Sequence, residues 1–131
     1  MSGLNFDDAF DRIFSRAFGC LSQAMIKDRM DAGLTPLRCI FTESAFQRII
    51  LEKAAGTPVQ DYLRSKGGVC TELVGGTWRC TVERDITTTG YAGDTPGRRT
   101  RTRFTLRVDI RGHDGEIQTN IERDDFVPAA R

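Results

Sequence analysis

Residues equipped for chemistry are few in this chain, and their spacing decides what each of them can do. The single histidine, His113, stands in Gly112-His113-Asp114-Gly115, a context that suits a hairpin tip. Any Ser-His-Asp or Cys-His arrangement would have to be built at that tip. Cys20, Cys39, Cys70 and Cys80 are scattered without a Cys-x-x-Cys pair, and one histidine cannot complete a zinc set at motif spacing. The cysteines are therefore expected to be reduced and buried. No nucleophile elbow, phosphate-binding loop or dinucleotide fingerprint is present. Glu83, Asp85 and Glu122 are the carboxylates that a strand alternation gathers on one face, but the same alternation gives them arginine or threonine neighbours. A solvated charge ladder accounts for them better than acid–base catalysis. The expectation is a chain with no catalytic residues, no metal site and no cofactor.

The strongest chemical signal is basic. Arg98-Arg99-Thr100-Arg101-Thr102-Arg103 continues at Arg107 and Arg111, and alternation sets Arg101, Arg103, Arg107 and Arg111 on one face of a strand. Such a ribbon can contact phosphates or carboxylates. Arg103, Arg111 and Arg79 have acidic residues opposite them in the expected sheet, which leaves Arg98, Arg99, Arg101 and Arg107 as the uncompensated charge. Tyr91 is the one aromatic nearby, too little for a stacking platform of the kind that grips single strands. The candidate binding residues are Arg98, Arg99, Arg101, Arg103, Arg107 and Tyr91. Their expected counterpart is an acidic protein, with self-association beside it and nucleic acid as a third class.

Bulk properties bound these readings. The 131 residues make one domain, 1–131, able to bury a core without staples. Basic and acidic residues nearly cancel, leaving +1, so no global field draws the chain to nucleic acid or lipid. The acidic start lacks an apolar run, and no stretch approaches the ~20 apolar residues that span a bilayer. No membrane partner is expected. Together with reduced cysteines, this places the chain in the cytoplasm.

The elements that must position the candidates follow from periodicity. Asn5 can cap a helix in which Phe6, Ala9, Phe10, Ile13, Phe14, Ala17, Phe18, Leu21, Ala24 and Met25 fill about half the circumference. Asp28 would interrupt that arc, so one long helix should end near 27–33. Residues 36–41 predict a short strand. Ser44 and Gln47 stand at capping-box spacing before a second helix that closes at Gly56. Thr57-Pro58 opens a third helix, which ends at Gly67-Gly68.

From Val69 the period changes to two. A two-residue turn at Gly75-Gly76 would place Leu73 opposite Trp78, Thr71 opposite Cys80 and Glu72 opposite Arg79. Cys70 and Cys80 would then face opposite ways, and Trp78 would be buried under the first helix. A second hairpin over 112–115 sets Ile110 against Ile117, Val108 against Thr119 and Leu106 against Ile121. Charge registers the two hairpins against each other: with Val82 opposite Leu106, Asp85 meets Arg103 and Arg79 meets Asp109, whereas a slip of one pleat sets arginine against arginine. Residues 88–99, rich in Thr, Gly and Pro, predict a long loop, and 124–131 a tail.

The fold expected is α+β, with a long N-terminal helix and two shorter ones on one face of a four- to five-stranded antiparallel meander. The function expected is a non-catalytic interaction protein, self-associating, with the arginine-rich segment 88–111 as contact surface. The alternative is a ligand or enzyme pocket between the first helix and a curved sheet.

Overall fold

A computed structural model describes residues 3–35, 38–92, 95–111 and 116–126; for 88–92, 95–99 and 126 it describes the backbone alone. The fold is α+β, with four helices and one four-stranded antiparallel sheet in the order β1-β2-β3-β4. The turn expected at 112–115, with His113, lies outside the described residues, as do Pro36, Leu37 and the end of the expected tail.

The expected long helix is broken. Helix α1 runs Ala9–Arg16, a 3-10 turn follows over Ala17–Gly19, and α2 starts afresh at Gln23–Asp31. Asp8, not Asn5, caps α1 by accepting from Phe10 N–H at 3.0 Å, while Asn5 accepts from Asp7 N–H in the turn before it. The first segment stops at Gly19 because Cys20 turns to extended backbone, and Ser22 caps the second, accepting from Met25 N–H at 3.3 Å. The apolar arc continues in sequence past this break, which is why periodicity alone joins the two pieces. Only α1 reaches the core: Phe10, Ile13 and Phe14 are buried, whereas α2 buries no residue.

Helix α3 spans Ile40–Lys53 with Cys39 at its N-cap. This corrects the expected strand over 36–41, because Ile40 and Phe41 form the first turn of a helix, and it places Ser44 and Gln47 mid-helix. Helix α4 covers Val59–Ser65 with Pro58 at its N-cap, one residue from expectation. Phe10, Phe14 and Phe46 pack edge to face at centroid distances of 4.7 to 5.5 Å, and Phe18 meets Phe104 at 4.8 Å. Burying each of these rings fully contributes about 1.5–3 kcal/mol. The helices thus cover the sheet face that carries Cys80, Val82, Phe104, Leu106, Val108, Ile110, Ile117 and Ile121.

Strands β2 (Trp78–Ala92), β3 (Thr95–Arg111) and β4 (Glu116–Phe126) pair as charge and alternation predict: Val82 with Leu106, Asp85 with Arg103, Arg79 with Asp109, and Ile110 with Ile117. Strand β1 (Val69–Glu72) does not. Cys70 faces Cys80, Thr71 faces Arg79 and Glu72 faces Trp78, one residue off the expected register. The connection is a five-residue loop closed by Leu73 N–H donating to Thr77 O at 2.6 Å, with Gly75 and Gly76 both at positive φ. A shift of one residue exchanges the faces of a strand.

Both expectations about cysteine are overturned, the one about facing by that shift and the one about reduced thiols by two bridges. Cys70 joins the apolar face and bonds Cys80, and Cys20 bonds Cys39 at the base of the segment carrying α2. No cysteine is free. Trp78 is partly buried and lies under the Arg64 guanidinium of α4 at 5.5 Å, not under the first helix.

Two further corrections concern chain ends and loops. Residues 88–99 are not an open loop, since β2 and β3 stay paired to Ala92 and Thr95. Asp124, Asp125 and Phe126 are strand, paired with Arg103, Thr102 and Arg101, and not tail. No helix is long and apolar enough to cross a membrane among the described residues.

Candidate functional site

The arginines separate into two groups. On the open face of the sheet, Asp85 takes two guanidinium groups: Arg103 Nε and Nη2 donate to it at 2.9 and 3.2 Å, and Arg101 Nη2 donates to Oδ2. The Arg103 bond, reinforced by Arg101 and opposed by burial, holds the Asp85 carboxyl down at about 2. Arg101, expected to be uncompensated, is paired. Arg79 and Asp109 bond at 2.8 Å across β2 and β3. Arg107 stands between Thr81 and Asn120 with its Nε buried and without a partner. Arginines and carboxylates alternate over this face, so it carries no basic field of its own.

Arg98, Arg99 and Tyr91 belong to the second group, on an arm that β2 and β3 extend past their neighbours. Strand β1 reaches along β2 only to Thr81, Gly3 bridges β2 at Asp85, and β4 ends opposite Arg101. Beyond these limits, among the described residues, β2 and β3 pair with each other as a ribbon. Thr89 faces Arg99 and Tyr91 faces Pro96, so Gly97 and Arg98 together oppose Gly90, and the extra residue is on β3. The backbone places Arg98 and Arg99 on this ribbon, apart from Arg101, Arg103 and Arg107 on the sheet.

A different cluster lies between α1 and β2, and sequence reasoning passed over it. A cleft of about 780 Å³ is lined by Asn5, Asp8, Asp11, Lys66, Glu83 and Arg84 among others. The Arg84 Nε and Nη2 lie 3.1 Å from Asp11 Oδ1, and the guanidinium also donates to the Lys66 and Glu83 carbonyls at 2.6 and 2.9 Å. Asp11 Oδ2 accepts from Asn5 N–H at 2.8 Å. Lys66 Nζ bonds Asp8 at 2.9 Å and lies 5.5 Å from the Tyr62 ring. Burial and the charges of Asp8 and Asp11 push the Tyr62 hydroxyl up to about 12. Burial pushes Asp8 up as well, but bonds from Lys66 and Phe10 N–H and the charges of Lys66 and Arg84 outweigh it and hold the carboxyl below its ordinary value. Alternation along β2 sets Arg84 on the same face as Val82, whereas no local pattern in the sequence pairs it with Asp11.

Glu43 is the second buried carboxylate that sequence reasoning missed. It accepts from Ile121 N–H at 3.2 Å and from Arg38 at 2.8 Å, while Thr119 Oγ1 donates to its backbone oxygen at 2.8 Å and Gln47 donates to Ile117 O at 3.3 Å. Helix α3 thereby covers the outer edge of β4 with polar side chains. No group of His, Cys, Asp and Glu is placed to hold a metal among the described residues. No family model matches the chain, and neither does any curated protein or solved structure.

Proposed function

We propose that the chain is a non-catalytic interaction module whose contact element is the β2–β3 arm, with Arg98 and Arg99 addressing an acidic protein. The observation that carries this reading is the continued pairing of β2 with β3 past the ends of β1 and β4. A two-stranded ribbon is marginal in water by itself and gains stability from a third strand or a packed face. Polar groups in the interior support a binding role over a catalytic one: Asp11, Arg84, Glu43 and Thr119 are each engaged in bonds that hold elements together. Cytoplasmic placement rested on unpaired thiols, and the two disulfides support an oxidising compartment instead.

The test uses immobilised polyglutamate as the acidic probe and a DNA duplex as the competing class. Retention on polyglutamate is expected to fall steeply with salt and to be lost in Arg98→Glu/Arg99→Glu, with the thermal midpoint unchanged. Stronger retention on DNA assigns the arm to nucleic acid, and retention unchanged by the double substitution overturns the proposal. The cleft between α1 and β2 favours a second reading, a site for a small charged ligand, because the Lys66 and Asp8 side chains are partly exposed there, at 24% and 26%.

A further inference from the structure

Among the described residues, the sheet edges in this fold are covered or short, with one exception. The β4 edge is covered by Glu43 and Gln47 of α3. Strand β1 is four residues long, and a very short edge strand offers little to pair with. On the arm, the β3 side carries Pro96, the extra residue of the bulge, and Arg98 and Arg99. Proline, bulges and charge are the devices that keep an edge strand from pairing with another chain. The β2 side of the same arm has none of them. Residues 86–92, Ile-Thr-Thr-Thr-Gly-Tyr-Ala, contain no charge and no proline and are rich in β-branched residues.

From this asymmetry we infer that the β2 edge over 86–92 pairs antiparallel with the same segment of a second copy of this chain. The inference rests on the same reading of the arm as a contact element, but on its opposite side. Among the described residues, Gly3, bridged to Asp85, bounds the open edge at one end, and the strand is described to Ala92 at the other. The open stretch is about 23 Å long at ~3.3 Å per residue. A twofold axis at its centre sets Thr89 against its own copy, Thr87 against Tyr91 of the partner subunit and Ile86 against Ala92 of the partner subunit. Such an interface is isologous and brings no like charges together. The alternative pairing through β3 would draw two Arg98-Arg99 pairs together, which like-charge repulsion disfavours. The two arms become one four-stranded sheet, which adds a neighbouring strand to each ribbon.

Sedimentation equilibrium of the full chain over a dilution series tests this. Wild type is expected to be a concentration-dependent dimer. Thr89→Lys sets two ammonium groups across the axis, each also facing Arg99 of its own chain, and is expected to weaken dimerisation about tenfold or more with the far-ultraviolet circular dichroism spectrum unchanged. Arg99→Thr, on the other edge, is expected to leave it intact. A paired comparison guards against a folding defect at position 89: Thr87→Lys/Tyr91→Lys should give monomers, and Thr87→Glu/Tyr91→Lys should keep the dimer, because 87 faces 91 of the partner. A wild type that stays monomeric at every concentration, or a dimer indifferent to these substitutions, overturns the inference. Polyglutamate binding reads Arg98 and Arg99 separately, so failure of one reading is distinguishable from failure of the other.

Discussion

Replacing Asp11 with alanine should be among the most damaging single changes to this protein, although Asp11 touches no part of the arm. Asp11 is 3% exposed and Arg84 is 8% exposed, and the guanidinium lies 5.5 Å from the Phe14 ring and 5.9 Å from the Phe10 ring. Asp11→Ala leaves that cation buried among aromatic rings and takes the acceptor from Asn5 N–H. Removing one partner of a buried pair costs about 3–5 kcal/mol, a large part of the ~5–15 kcal/mol that holds a typical domain. Asp11→Leu/Arg84→Met removes both charges and fills the space with apolar atoms. Its remaining cost is the loss of a donor to the Lys66 and Glu83 carbonyls and of the acceptor for Asn5 N–H, about 1–3 kcal/mol for each group left unpaired. Urea unfolding followed by tryptophan fluorescence and far-ultraviolet circular dichroism, with coincident transitions as the two-state check, gives the four corners of the cycle: wild type, Asp11→Leu, Arg84→Met and the double variant. A loss below about 1 kcal/mol for Asp11→Ala, or a double variant equal to the sum of the singles, refutes the pairing.

Other expectations are as specific. Thiol titration of the unfolded, unreduced protein should find no free cysteine and, after reduction, four; four before reduction would remove both bridges. The Asp85 carboxyl is lowered from 3.8 to about 2 by Arg103 and Arg101, so the stability it contributes is present above pH ~4 and is lost as pH falls towards about 2. Unfolding curves of wild type and Asp85→Asn should therefore converge in acid, and a gap constant with pH would refute the pairing. A Cβ at Gly68 would lie 2.7 Å from the Leu63 carbonyl oxygen, whereas one at Gly19 meets nothing within 4 Å. Gly68→Ala should cost about 1–3 kcal/mol and Gly19→Ala less than about 0.5 kcal/mol, measured by denaturant unfolding.

Much of the sheet was legible because its outer residues are charged. Arg79, Asp85, Arg103 and Asp109 leave a single register for β2 against β3, and alternation does the same for β3 and β4. Where charge was silent, turn chemistry misled. Gly75-Gly76 is the signature of a two-residue turn, yet Leu73 and Thr77 close a wider loop around it, and one residue of error reversed the faces of Cys70 and Glu72. Arm residues 88–99 have the composition of a loop, since Gly90, Pro96 and Gly97 punctuate a strand as readily as they end one. Ile40 and Phe41 have strand propensity, but tertiary context set them at the start of α3. Arg98, Arg99 and Tyr91 were candidates by type and order alone. The buried pairs of Asp11 and Glu43 depend on how separate elements pack, which no local pattern encodes.

The segment between Cys20 and Cys39 has the makings of an exchangeable cassette. Its two ends lie 5.5 Å apart at Cα and are clamped by the disulfide, and its helix contributes nothing to the interior. Met25, Met30 and Leu34 are displayed outward along it. Closure entropy grows only slowly with length, about 0.6 kcal/mol for each doubling. Lineages can therefore lengthen, shorten or rewrite residues 23–35 while the aromatic core and the strand registers stay as they are, so this stretch should diverge fastest among descendants of the same ancestor.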